Sequence, residues 1–349
     1  MPIEARRIFR LSLTTALALA GAYALALPLP FLAPLFALLL TAAPVAPMGL
    51  KGLLGLILVV LLTLGVGLLM TPMLTNYSVS AVLITAIGLY FSTYLTVNLG
   101  KGLVGMLLTV GFTLIPAAGT VDFVLAVTVI KALVLGIGLA IVCQWLVYPW
   151  FPEDAATLKK TRPEAGDPTA SNWIALRATL IVLPPFLLAM SNPSMYLPII
   201  LKSVSLGQQG SVIDARHAGR ELLGSTFLAG SFAVLFWFSL KLCPSLWMFF
   251  LWMLLFGVYF ASKLYRLIAS RFPPSFWQNV AVTMLILLGP AVQDSAGGKD
   301  VYKAFAVRMS LFVAVTLYAW LAIHILEQLR TRHQKRLPLP LTETESPVC

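Results

Sequence analysis

Charge is scarce in this chain. Of its 349 residues, 59% are hydrophobic and only 11% are Asp, Glu, Lys or Arg, and the mean hydropathy is +0.92. Soluble domains carry about 25% charged residues, so the shortage excludes a soluble globular protein and points to a polytopic membrane protein. Acidic residues are the scarcer kind, 13 against 24 basic ones, which leaves a net charge of +11. In a soluble protein that balance would suggest nucleic acid. Here the cations sit in short loops between apolar runs, with no interleaved aromatics, so orientation in the bilayer and anionic headgroups account for them and no nucleic-acid partner is expected. The three cysteines, Cys143, Cys243 and Cys349, are odd in number and far apart, which excludes a disulfide framework. His217, His324 and His333 are equally scattered, so neither a metal site nor another cofactor is expected. The chain lacks a G-x-x-x-x-G-K-[ST] loop, which excludes an ATP-hydrolysing pump acting by itself. It also lacks Ser/His/Asp, H-E-x-x-H and CxxC constellations, so an enzyme is not expected.

What the chain has in abundance is apolar runs of membrane-spanning length. They read as twelve spans, at 8–27, 30–47, 51–71, 78–98, 102–118, 121–148, 172–191, 194–210, 217–241, 244–262, 273–292 and 302–326. The expected fold is all-α. Residues 1–150 and 172–329 form two six-helix halves, a polar linker at 151–171 joins them, and a basic, then Pro-rich tail at 330–349 is expected to be disordered. The start of the chain mimics a signal peptide, with Arg6, Arg7 and Arg10 ahead of an apolar run; a retained first helix is expected, because the second half carries a counterpart. Twelve spans with both ends in the cytoplasm place 19 of the 24 cations on that side, Lys202 among them. Lys241, Lys299 and Lys303 fall on the other side, and Lys131 and Arg308 fall within spans. A wrong span count would scatter these charges, so the positive-inside rule supports an even number.

The halves echo one another. Arg10-Leu11-Ser12-Leu13 corresponds to Arg177-Ala178-Thr179-Leu180, and Phe31-Leu32-Ala33-Pro34 to Tyr196-Leu197-Pro198-Ile199. Lys51-Gly52-Leu53-Leu54-Gly55 corresponds to Arg220-Glu221-Leu222-Leu223-Gly224, Pro116 to Pro290, and Ile130-Lys131-Ala132 to Val307-Arg308-Met309. The offsets run from 165 to 177 residues and keep their order. Six spans per half give both halves one orientation, with a repeat axis along the membrane normal and a site expected between the halves.

Within this frame two cations stand out. Lys131 and Arg308 lie inside apolar helices, where a cation costs at least ~2.5–3.5 kcal/mol and so faces protein or a watery path. Two readings are open: the pair binds a substrate carboxylate, or it forms ion pairs with Asp122, Asp294 or Asp300. The same aspartates and Glu221 are the carboxylates available for proton coupling. Lys202, Ser205 and Gln209 share a face if 194–210 is helical, and that face either bonds substrate or makes a polar helix contact. Pro116 and Pro290 break the fifth helix of each half, as cavity-lining helices in transporters are often broken. Arg216 and Arg220 read as a cytoplasmic entrance or as topogenic charge. Gly65, Gly67, Gly136 and Gly138 read as points of close helix packing.

The Arg-led first helix with its Pro-aromatic-Leu-Ala-Pro turn, the run from Arg216 into Leu222-Leu223-Gly224, and the sixth helix ending at Tyr148-Pro149 together resemble the fusaric acid resistance (FUSC) family. That family includes aromatic acid exporters and more distantly resembles plant anion channels of the malate transporter type. The resemblance implies an inner-membrane exporter of small organic anions, aromatic carboxylic acids among them, with a periplasmic adaptor protein as a partner. A passive anion channel and a non-transporting scaffold subunit of an efflux assembly are the alternatives, and a homo-oligomer stays open. One departure is clear: larger members carry a substantial cytoplasmic domain after the sixth helix, where this chain has only residues 151–171.

Overall fold

A computed structural model describes residues 2–98, 100, 102–154, 168–210, 215–298 and 300–336. These residues form twelve α-helices and, among them, no strand. In order they are α1 (Ile3–Ala24), α2 (Leu32–Ala42), α3 (Leu50–Asn76), α4 (Ser78–Asn98), α5 (Gly102–Val121) and α6 (Phe123–Val147), then α7 (Pro168–Ser191), α8 (Pro193–Gly210), α9 (Ala215–Leu242), α10 (Leu246–Leu264), α11 (Pro274–Ala296) and α12 (Val301–Arg336). Most of the expected linker and the chain beyond Arg336 lie outside the described residues. The helix of α12 continues past 330, where the tail was expected to begin.

Nine of these helices, α3 to α7 and α9 to α12, are long and apolar enough to cross a membrane. The protein is therefore a multi-pass helical membrane protein. α1, α2 and α8 fall short of that measure, which differs from the expectation of twelve full spans. α2 shows why. It has 11 residues, or about 16 Å of helix against a hydrocarbon core of about 30 Å. The expected span at 30–47 stays helical only to Ala42 because Pro44 and Pro47 follow; a proline has no N–H to give and pushes the residue before it out of the helical region. Ala43 is accordingly extended, with ψ of 141°.

Ending a helix inside a bundle strands backbone carbonyls, which need partners where water is excluded. Side chains from two other helix ends reach this stretch, two of them onto carbonyls. The Tyr265 hydroxyl, just past α10, donates to the Ala42 carbonyl at 3.1 Å. Trp145 Nε1 on α6 donates to the Met48 carbonyl at 2.6 Å, and Gln144 Nε2 donates to Thr41 Oγ1 at 2.8 Å.

The helix contacts recur six elements apart. α1 packs on α2, α2 on α6, α3 on α5, α4 on α5 and α5 on α6; likewise α7 packs on α8, α8 on α12, α9 on α11, α10 on α11 and α11 on α12. Between these sets α1 packs against α10, and α7 against α4. At the α3–α5 crossing the backbones meet: a Cβ at Gly67 would run into the Gly111 carbonyl, and one at Gly111 into that of Thr63. Of the four glycines expected at close packing, Gly67 and Gly136 are so placed, whereas Gly65 and Gly138 face open space. α11 is buried nearly all round, whereas α3 presents Leu54, Leu58, Leu61, Leu62 and Leu69 outward, as a lipid-facing helix does.

Each set also carries an arginine near the start of its first helix, paired with a glutamate past or near the end of its sixth. Arg10 is buried and donates to Glu153 Oε2 at 2.7 Å. Arg7 also pairs with Glu153, and Arg6 with Asp154 at 2.8 Å. In the second set Arg177 lies 3.7 Å from Glu327. Burial alone would raise the Glu153 carboxyl, but the hydrogen bonds from Arg7 and Arg10 outweigh it and hold the group below the usual carboxylate range. A depressed acid stabilises the fold above its unfolded pKa and loses that contribution as pH falls through the folded value. Acidification through and below the ordinary glutamate range is thus expected to lower the melting temperature. Glu153→Gln should cost about 3 kcal/mol at neutral pH and remove part of that acid sensitivity, which thermal unfolding in detergent across pH reads directly.

Candidate functional site

A cavity of about 490 Å³ lies where the two sets of helices meet. The second, fifth and sixth helices of each set line it: Phe31 and Leu32 at the start of α2, Leu114 on α5 and Val129 on α6, then Leu197, Pro198 and Leu201 on α8, Pro290, Gln293 and Asp294 on α11, and Val307, Arg308 and Leu311 on α12. The start of α2 and the proline-containing part of α11 face one another across it. Pro290 leaves the Ile286 carbonyl without its helical donor, and Gly289 admits the Phe31 ring, which a methyl at that position would overlap. Gln293 ties the wall across the sets by donating to the Pro28 carbonyl at 3.3 Å.

One ion pair sits in this largely apolar wall, beside Gln293. Arg308 Nη2 lies 2.5 Å from Asp294 Oδ2, and both side chains are largely buried. Proximity and charge hold the contact rather than an aligned hydrogen bond: Asp294 Oδ2 accepts none, and Arg308 Nη1 donates none among the described residues. A guanidinium is a planar fork of five donors suited to two carboxylate oxygens at once. Asp294 engages only part of it.

The structure separates the expected site residues. Asp294 is the carboxylate that meets Arg308. Asp122 instead caps α6, its Oδ1 accepting from Val124 N at 3.0 Å, and Asp300 caps α12 by accepting from Tyr302 N and Lys303 N at 3.1 and 3.2 Å. Lys131 is exposed on α6 and is not part of the cavity wall. Pro290 lines the cavity, while Pro116 is buried within α5 beyond Leu114. Arg220 and Glu221 line a separate cleft at the end of the bundle that carries the start of α9. Ser205 is half-buried and engaged with a neighbour. The side chains of Gln209 and Arg216 lie outside the described residues.

Lys202 is the largest surprise. Counted with the cytoplasmic cations, it is instead fully buried. It follows the cavity-lining Leu201, but its Nζ donates to Thr283 Oγ1 on α11 at 2.9 Å. Thr283 in turn donates to Asn279 Oδ1 at 3.1 Å, and Asn279 donates to Ser225 Oγ on α9. A four-member polar chain therefore runs through the second set of helices. Its signal was present in the sequence as Asn279 and Thr283, polar residues at i, i+4 within an apolar span. The Arg10–Glu153 and Arg177–Glu327 pairs were likewise overlooked, because their glutamates lie in or beside the stretches read as linker and tail.

Residues 7–147 match the family model described as Protein of unknown function (DUF2955). It is a family of membrane proteins, and the match runs from α1 to the end of α6, the first set of six helices. No curated protein and no solved structure matches the chain.

The buried lysine yields a prediction. Thr283→Val should leave its Nζ without an acceptor and cost about 1–3 kcal/mol. Adding Lys202→Met removes the stranded polar group, so the double variant should unfold at a higher temperature than Thr283→Val alone. A double-mutant cycle by thermal unfolding measures the coupling.

Proposed function

We propose that this protein is a secondary exporter of small organic anions in the inner, cytoplasmic membrane, built from two parallel six-helix repeats with both ends cytoplasmic. The observation that carries the reading is Arg308, a guanidinium only part-engaged by Asp294 on the wall of a cavity between the repeats. Recurrence of the helix contacts six elements apart, and of the two Arg–Glu pairs, supports the repeat. A cavity lined by the second, fifth and sixth helix of each set is where a repeat axis along the membrane normal would put a substrate site.

In this reading a substrate carboxylate competes with Asp294 for the Arg308 guanidinium at the cavity wall. The apolar wall of Phe31, Leu32, Leu197, Leu201 and Leu311 holds the body of the anion. An aromatic body suits that wall, and the resemblance to the fusaric acid resistance family supports aromatic carboxylic acids as the first substrates to try. Asp294 links the site to protons: protonated, it releases Arg308 to the substrate; ionised, it reclaims the arginine and favours release, so proton and anion leave together and the outward gradient of the acid drives export. Lys131 stands outside the site. The opposing reading is a non-transporting subunit, and it draws on the same contact, taking the Arg308–Asp294 pair as purely structural.

Reconstitution into proteoliposomes separates these readings. Benzoate-type anion uptake driven by an imposed pH gradient supports the exporter, electrodiffusive current without gradient coupling supports a passive channel, and silence in both supports the scaffold. Arg308→Ala is expected to reduce flux at least tenfold, the loss of one charge-assisted contact, whereas Lys131→Ala leaves it unchanged. Asp294→Asn should keep or tighten anion binding yet lose the response to the pH gradient. Normal flux in a folded Arg308→Ala protein would sink the proposal.

A further inference from the structure

A second cleft, of about 570 Å³, opens at the end of the bundle where α10 stops and α11 begins. Arg220 from α9 and Arg266 and Arg271 from the α10–α11 loop line it, with Ser270, Phe272 and a single carboxylate, Glu221, which is itself engaged with a neighbour. None of the three arginines forms a salt bridge or a hydrogen bond among the described residues. Excess charge on one side of a membrane explains their number; it does not explain their convergence on one cleft.

The α10–α11 loop, which carries Arg266 and Arg271, is held in a defined shape. Arg266, just past the C-cap of α10, adopts the left-handed backbone that often ends a helix, with φ of 59°. Lys263 Nζ donates to the Ala269 carbonyl at 3.0 Å. Ser270 Oγ accepts from Phe272 N at 3.1 Å and from Trp277 Nε1 at 2.8 Å. The Arg220 guanidinium lies over the Phe272 ring at 5.3 Å, which fixes its plane at the rim. Between Arg266 and Arg271 the loop exposes Leu267 and Ile268, 56% and 45% accessible. Two bare aliphatic side chains flanked by arginines match a surface that meets acyl chains and charged headgroups together.

We propose that this cleft binds the phosphate of an anionic phospholipid, with Arg220, Arg266 and Arg271 on the phosphate and Leu267 and Ile268 against the first part of its acyl chains. A bare phosphate or a free organic anion entering the pathway would use the same arginines but have no use for the aliphatic pair. This proposal is independent of the transport reading, since the cleft is separate from the Arg308 cavity.

The test uses the full chain purified in neutral detergent, with phosphatidylglycerol, phosphatidylcholine, inorganic phosphate and benzoate as probes, read by native mass spectrometry and by thermal stabilisation. Wild type is expected to retain phosphatidylglycerol over phosphatidylcholine. Each of Arg220→Gln, Arg266→Gln and Arg271→Gln should weaken that retention about fivefold, and the triple variant should no longer distinguish the two lipids. Unfolding temperatures in lipid-free detergent check that the variants remain folded. A paired Leu267→Ser, Ile268→Ser variant should weaken phosphatidylglycerol while leaving any phosphate response alone. The proposal is overturned if the triple variant still prefers phosphatidylglycerol, if wild type shows no preference, or if inorganic phosphate or benzoate stabilises the cleft as well as the lipid does.

Discussion

Hydrocarbon has no water to offer a freed backbone group, and the bundle is arranged around one place where that matters, the break after α2. A helix that stops at Ala42 leaves carbonyls without helical donors, and side chains from other helices answer part of that need. Tyr265 donates to the Ala42 carbonyl and Trp145 to that of Met48, while Gln144 donates to the Thr41 hydroxyl, which ties the ends of α10 and α6 to the break. α2 is a half-length helix buried nearly all round, and its start, at the end away from the break, lines the Arg308 cavity.

Arg10 and Glu153, and Arg177 and Glu327, close on each other near one end of the bundle and leave little for a ligand. Asp122 and Asp300 are spent on helix N-termini. Arg308 differs because its partner satisfies only part of its donor set and because a cavity stands open beside it. Lys202 is fully buried with a threonine as its acceptor, and it lies one residue past the same cavity wall.

Much of the fold was legible from hydropathy: an apolar run of twenty residues has few alternatives to a helix, and the order of the twelve elements follows from the breaks. Where the reading failed, the cause was that period and length do not report what a helix is packed against. The run at 30–47 is as apolar as a span, yet Pro44 and Pro47 divide it, and the tertiary partners that make such a division tolerable come from residues more than ninety positions away. The site was half legible. Arg308 announced itself by the cost of its burial, and Asp294 was among three carboxylates near enough to meet it. Lys131 occupies the matching sequence position but turns outward, because a shift of one or two residues on a helix moves a side chain by 100° or 200° around the axis. Lys202 was placed at a helix end because depth within a bundle cannot be read from a run of 18 residues holding both lysine and glutamine.

Two of the hydrogen bonds already described have a mechanical meaning together. Tyr265 to Ala42 joins the two sets of helices at the end that holds the arginine-rich loop, and Gln293 to Pro28 joins them at the opposite end, beside the cavity. Each is a single contact worth roughly 0.5–1.5 kcal/mol net, so neither can lock the molecule. They supplement the broad packing of α1 on α10 and of α4 on α7, and the Phe31 ring seated against Gly289, one turn from Gln293, fixes how closely the two sets approach beside the cavity.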